Sequence, residues 1–123
     1  MSPRVLVVDD EPQLRRVLVR FFARLGFAVD AAGDGLEALD LLERRTYDLV
    51  LCDVRMPNLD GLSTFHAAQE RLGGLPPWVF LTGYADHSDR RLLDQGATRV
   101  FTKPTPAADL VALVQELGLS GDC

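Results

Sequence analysis

A chain of 123 residues with 47% hydrophobic and 25% charged residues has the size and balance of one globular domain, able to bury about two-thirds of the surface its unfolded form exposes. The composition argues against disorder, and the net charge of -5 argues against a nucleic-acid surface, which needs clustered Lys and Arg. No apolar stretch approaches the roughly 20 residues of a membrane span, and Met1-Ser2-Pro3-Arg4 runs into a strand without a signal-peptide core, so the expected location is the cytoplasm.

The first predicted strand is Arg4-Val5-Leu6-Val7-Val8, an apolar, β-branched run that stops at Asp9-Asp10-Glu11. Pro12 suits the first turn of a helix, and Leu14, Val17, Leu18, Phe21, Phe22 and Leu25 recur at helical spacing until Gly26. Phe27 to Ala31 reads as a more polar, edge-like strand. Gly33-Asp34-Gly35 then turns into a second helix that ends at Arg44-Arg45, the charge its carbonyl end prefers.

Leu49-Val50-Leu51-Cys52-Asp53 is a third strand, too short and too evenly apolar for a helix, and it ends in a carboxylate. By strand alternation Cys52 points away from whatever Asp53 faces and is a core residue, whereas Cys123 is terminal. Two cysteines so placed give neither a metal spacing nor a disulfide framework. Asp60-Gly61 opens a third helix that Gly73-Gly74 closes, and Trp78 to Thr82 is a fourth strand. A short, charged fourth helix is expected over 86–93. Arg99 to Thr102 is a fifth strand leading to Lys103-Pro104, and Thr105 is the expected cap of a last helix packed through Leu110, Val111, Leu113, Val114 and Leu117.

Five strands alternating with five helices predict a doubly wound (βα)5 sandwich of the flavodoxin type, a parallel sheet of order 2-1-3-4-5 with helices on both faces. Residues 1–118 form the domain, and 119–123 read as a tail or the start of a linker.

In such sheets ligands bind beyond the carboxyl ends of the strands. Four of the five ends deliver chemistry to that rim: Asp9 and Asp10, Asp53, Thr82, and Lys103. Singly each has a bland explanation, a helix cap, a β-former or a surface charge; jointly they do not. Crowded carboxylates repel, and a hard divalent ion such as Mg²⁺ relieves them with oxygen ligands. With Lys103 and Thr82 as donors, the set fits Asp53 as a nucleophile toward phosphorus, forming an aspartyl phosphate.

The stretches Val-Val-Asp9-Asp10-Glu, Asp53-Val-Arg-Met-Pro57-Asn-Leu-Asp-Gly61, Leu-Thr82-Gly-Tyr and Phe-Thr-Lys103-Pro104 resemble, at every signature position, a response-regulator receiver domain of two-component signalling, of the CheY-like superfamily. The resemblance implies that Asp53 accepts phosphate from a phosphohistidine on a sensor histidine kinase or phosphotransfer protein. It implies Mg²⁺, replaceable by Mn²⁺, held by Asp10, Asp53 and the Arg55 backbone carbonyl, with Asp9 acting through water, and a cis Lys103-Pro104 peptide. It further implies a switch relayed through Thr82 and Lys103 to the face of the fourth helix, fifth strand and fifth helix, which carries Arg90, Arg91, Asp94, Arg99 and Asp109. Partners would be an output domain or downstream protein, with a phosphorylation-dependent homodimer one option, and neither nucleic acid nor membrane bound directly.

Two rivals fit less well. A haloacid-dehalogenase type phosphatase wants an acid where this chain has Arg55, and a flavodoxin-like binding protein wants a Gly-rich or Ser/Thr-rich turn where this chain has Asp-Asp-Glu-Pro. A phosphate-independent interaction domain is a third possibility. The chain also departs from the receiver pattern at Val100, where an aromatic ring is usual; Phe101 should face the opposite side of the sheet. The expectation is that Thr82 moves without an aromatic rotamer switch, through the loop Gly83-Tyr84-Ala85. Arg55 and Tyr84 are candidates to cover the phosphoryl group, and His66 and His87 lack ligand spacing.

Overall fold

The computed structural model describes residues 2–83 and 89–120. Five strands, β1 (Arg4–Val8), β2 (Ala28–Ala32), β3 (Leu49–Asp53), β4 (Trp78–Thr82) and β5 (Arg99–Thr102), alternate with α1 (Pro12–Arg24), α2 (Gly35–Arg44), α3 (Gly61–Leu72), α4 (Asp89–Asp94) and α5 (Ala107–Glu116). The sheet is parallel in the order β2-β1-β3-β4-β5, as the alternation predicts.

Period-two alternation splits the core between the two faces. Leu6, Val8, Val50, Cys52, Trp78 and Phe80 pack with Ala38, Leu39 and Leu42 of α2, Phe65 and Ala68 of α3, and Leu92 of α4. Val5, Val7, Leu49, Leu51, Val79 and Leu81 pack with Leu18 and Phe22 of α1 and Leu110, Leu113 and Val114 of α5. β3 and β4 are buried along their whole length, whereas the edge strands β2 and β5 are only partly covered. Cys52 is fully buried, as expected. Val100 joins the first cluster and Phe101 the second, so Phe101 does not stand in for the missing ring.

The starts of two elements, β2 and α5, move. Phe27 stacks on Phe22, with ring centroids 5.9 Å apart; it belongs to the turn, and β2 starts at Ala28, paired with Arg4. The described part of α4 starts at Asp89, so the predicted start at Asp86 lies outside the described residues, together with Tyr84, His87 and Cys123. Thr105 does not cap α5: its hydroxyl donates to the Thr102 carbonyl (3.4 Å), and Pro106 occupies the cap position. The residue before a proline is held extended, which delays the helix by one residue. Lys103-Pro104 is cis.

Candidate functional site

The rim of the sheet is built by strands that end in polar residues just where their backbones leave the core. Asp9 follows β1 and is fully buried, while Asp53 closes β3 at 7% exposure and Thr82 closes β4 at 2%. Together with Asp10, Glu11, Val54, Arg55, Gly83 and Lys103, Asp53 and Thr82 line a cleft of about 340 Å³. Exposed Arg55 is thus at its wall.

Lys103 binds the site together. Its ammonium donates to Asp53 Oδ2 at 2.8 Å and to Asp9 Oδ2 at 3.2 Å, joining residues from three strand ends. The other Asp9 oxygen accepts the Glu11 amide (2.9 Å), and the Asp9 carbonyl accepts Arg15 Nη1 (2.8 Å). Asp9 is therefore a buried acceptor that steers both the lysine and the turn into α1. Asp53 Oδ1 accepts the Arg55 amide at 3.4 Å.

Burial pushes the Asp53 carboxyl above its ordinary value of 3.8; Lys103 opposes this through its hydrogen bond and charge, and the Asp9 charge reinforces it. Burial also disfavours the Lys103 ammonium, but Asp53 and Asp9 outweigh it and raise its pKa above 10.5. Lys103 is thus positive throughout the neutral range. Beside the site, burial raises the Cys52 thiol well above its usual range, with the Asp53 charge adding to it. That thiol is an inert core group.

Carboxylate oxygens of Asp9, Asp10 and Asp53 lie within 4.8 Å of one another. Three hard oxygen donors, two of them lining the cleft and Asp9 buried behind it, match what a small divalent cation takes, and one lysine does not balance three carboxylates. The donor set fits Mg²⁺.

The backbone around Asp53 leaves little freedom. The Gly61 amide donates to the Val54 carbonyl (2.8 Å), and a Cβ on Gly61 would stand 2.1 Å from the Asp53 carbonyl oxygen. Only glycine lets α3 start against the end of β3. Asp60 caps that helix through the Ser63 amide (2.8 Å).

All four predicted rim positions therefore converge: Asp9 and Asp10, Asp53, Thr82 and Lys103. His66 is exposed and away from the cleft. Glu11 and Arg15, which fix Asp9, were not singled out by the sequence reading; a glutamate beside two aspartates and an arginine inside a helix carry no local sign of that role.

The family model for the response regulator receiver domain matches residues 5–115. The chain is 39% identical over 118 residues to the response regulator MprA of a Mycobacterium species, covering 95% of this chain and 51% of that protein. It is 35% identical over 117 residues to the transcriptional activator protein PfeR of Pseudomonas aeruginosa, covering 94% and 38% respectively. The chain thus spans about half of the length of the first of these curated relatives and less of the second. Among solved structures, the response regulator TrrA of Thermotoga maritima, in complex with Mg²⁺-BeF, superposes with a TM-score of 0.83 at 30% identity, covering 94% of this chain and 99% of that one. Fold, strand-end residues and relatives agree, and the chain belongs to the response regulator receiver domain family, whose members are signalling domains and not metabolic enzymes.

Proposed function

We propose that this domain is a Mg²⁺-dependent phosphoacceptor switch in which Asp53 takes a phosphoryl group from a phosphohistidine. The observation that carries the reading is the Lys103 ammonium, 2.8 Å from Asp53 and 3.2 Å from buried Asp9, with Asp10 completing the acidic cluster.

An Asp53 oxygen attacks phosphorus in line with the histidine nitrogen; the oxygen–phosphorus bond forms as the nitrogen–phosphorus bond breaks, and the imidazole leaves with the electron pair. Asp10, Asp53 and the Arg55 carbonyl would hold Mg²⁺, with Asp9 acting through water. When bound, the ion neutralises charge on the phosphoryl oxygens. Lys103 supplies a further positive charge at Asp53, already aligned by its two carboxylate partners. The Thr82 hydroxyl is placed at the same cleft to donate to a phosphoryl oxygen, so phosphorylation draws it inward and biases a pre-existing equilibrium of the α4-β5-α5 face.

A groove of about 480 Å³ continues from the cleft, sharing Glu11, Gly83 and Lys103 with it. Leu14, Val17 and Phe21 of α1 and Pro104, Ala107 and Leu110 line the rest. Apolar surface beside the nucleophile supports a phosphodonor that is a protein. The domain then acts on an output domain or downstream protein, in keeping with the transcriptional role in the PfeR name. In this reading 1–118 is the receiver, working in the cytoplasm, and 119–123 a tail or the start of a linker.

Incubation with acetyl phosphate tests the chemistry. The wild type should gain a hydroxylamine-sensitive phosphoryl label in Mg²⁺ or Mn²⁺, with none in EDTA and none in Asp53→Asn. A label that persists in Asp53→Asn, or that ignores the metal, refutes the reading.

A further inference from the structure

The N-terminus of α2 lies against the loop between β3 and α3. Gly35, the first residue of α2, is buried, and a Cβ there would stand 2.1 Å from Thr64 Oγ1 and 2.7 Å from the Leu59 carbonyl oxygen. Thr64 is fully buried and donates to the Asp60 carbonyl at 2.7 Å. Beside it, Asp34 uses one carboxylate oxygen to cap α2, accepting the Glu37 amide at 2.9 Å, and the other to accept Asn58 Nδ2 at 3.0 Å. Asn58 has φ 69°, a left-handed conformation that asparagine tolerates better than most side chains. The same loop begins at Arg55 and ends where Gly61 meets the Asp53 carbonyl. One helix end thus presses and tethers, at Asn58 and Leu59, the loop that leads from the phosphoacceptor to α3 and carries the expected carbonyl ligand, Arg55.

We propose that Asp34 and Asn58 are positioning residues for the metal site: their hydrogen bond, with the close seat of Gly35 on Leu59 and Thr64, holds the loop so that the Arg55 carbonyl faces the Asp10 and Asp53 carboxylates. Neither residue lines the cleft; both act through the backbone between them and Arg55. The inference rests on the reading of the rim as a Mg²⁺ site. A divalent ion that keeps strict octahedral geometry is sensitive to ligand displacements that a carboxylate–lysine pair absorbs, so loosening the loop should weaken Mg²⁺ before it disturbs the Lys103 contacts.

The test is calorimetric Mg²⁺ titration of the whole chain, with thermal unfolding in EDTA alongside. Asn58→Gly keeps the positive φ and removes the amide donor; Asp34→Ser keeps a capping oxygen for Glu37 and removes the second acceptor. Each should raise the Mg²⁺ Kd about 5- to 20-fold, and the double variant should match either single one within about twofold, since one bond is lost in all three. Asn58→Asp, which cannot donate to Asp34, should weaken binding as Asn58→Gly does. Unchanged Kd values in the single variants, multiplicative losses in the double, or losses that follow unfolding temperature across all variants would overturn the proposal. A wild type that does not bind Mg²⁺ would instead overturn the metal-site reading beneath it.

Discussion

Replacing Lys103 with Met keeps most of the side-chain volume and removes the charge that joins three strand ends. Asp9, fully buried, and Asp53 would then face each other without a counter-ion. Breaking a buried ion pair costs about 3–5 kcal/mol. Because the Lys103 side chain retains 17% exposure at the mouth of a cleft, a cost at or just below the bottom of that range, about 2–3 kcal/mol, is expected after solvent screening. With a urea m-value of about 2 kcal/mol/M for a domain of this size, the unfolding midpoint in EDTA at pH 7 should fall by roughly 1 M. Two conditions should return much of the loss. Protonation at pH 4 removes part of the repulsion, and Mg²⁺ at about 100 times its Kd adds about 2.7 kcal/mol to a state that binds it. Mg²⁺ should therefore stabilise Lys103→Met more than the wild type, whose lysine already offsets part of the same charge. An unchanged midpoint at pH 7, or a loss that is the same at pH 4 and in Mg²⁺, would refute this account of the lysine as the local counter-ion.

Other outcomes follow from the same geometry. Burial raises the Asp53 pKa above 3.8, so the folded state binds that proton more tightly than the unfolded chain. Stability from this group is then highest below 3.8 and declines as pH rises through the folded value; urea midpoints in EDTA should show a falling contribution across that window in wild type and not in Asp53→Asn. Arg55 lines the cleft, and if it covers the phosphoryl group Arg55→Ala should release phosphate several-fold faster, alone or with Tyr84→Ala; an unaltered decay rate would assign Arg55 to solvent. Structures with and without fluoroberyllate should differ at Thr82 and Gly83 while Val100 keeps its rotamer, and identical Thr82 positions would contradict a threonine-driven switch. Gly61→Ala should lower stability by about 1–3 kcal/mol, because its Cβ would meet the Asp53 carbonyl at 2.1 Å; a neutral substitution would show that α3 can retreat.

The strand ends were legible because four of the five strands stop abruptly at a charge or hydroxyl, and a parallel sheet sends all such stops to one side. The split of Val100 and Phe101 between the two cores likewise follows from alternation alone. The links that hold the site were not legible. Arg15 reads as one more exposed helix charge, yet its guanidinium turns back to the Asp9 carbonyl. Asp34 is recognisable as a helix cap, but its second oxygen meets Asn58 across the fold, a pairing that no periodicity in either segment encodes. The start of α5 differs for a local reason: Thr105 is a good capping residue, but the proline that follows holds it extended and takes the cap position itself.

The two tight glycine contacts bear on how such a domain can be rebuilt. Gly35 and Gly61 sit in different helices, yet each abuts the backbone on one side of a single short loop. Anyone grafting this loop onto another scaffold, or recombining halves of related chains, would need to carry both helix starts with it. Exchanging α2 alone would leave a well-formed helix and a well-formed acidic cluster in the wrong relation to each other.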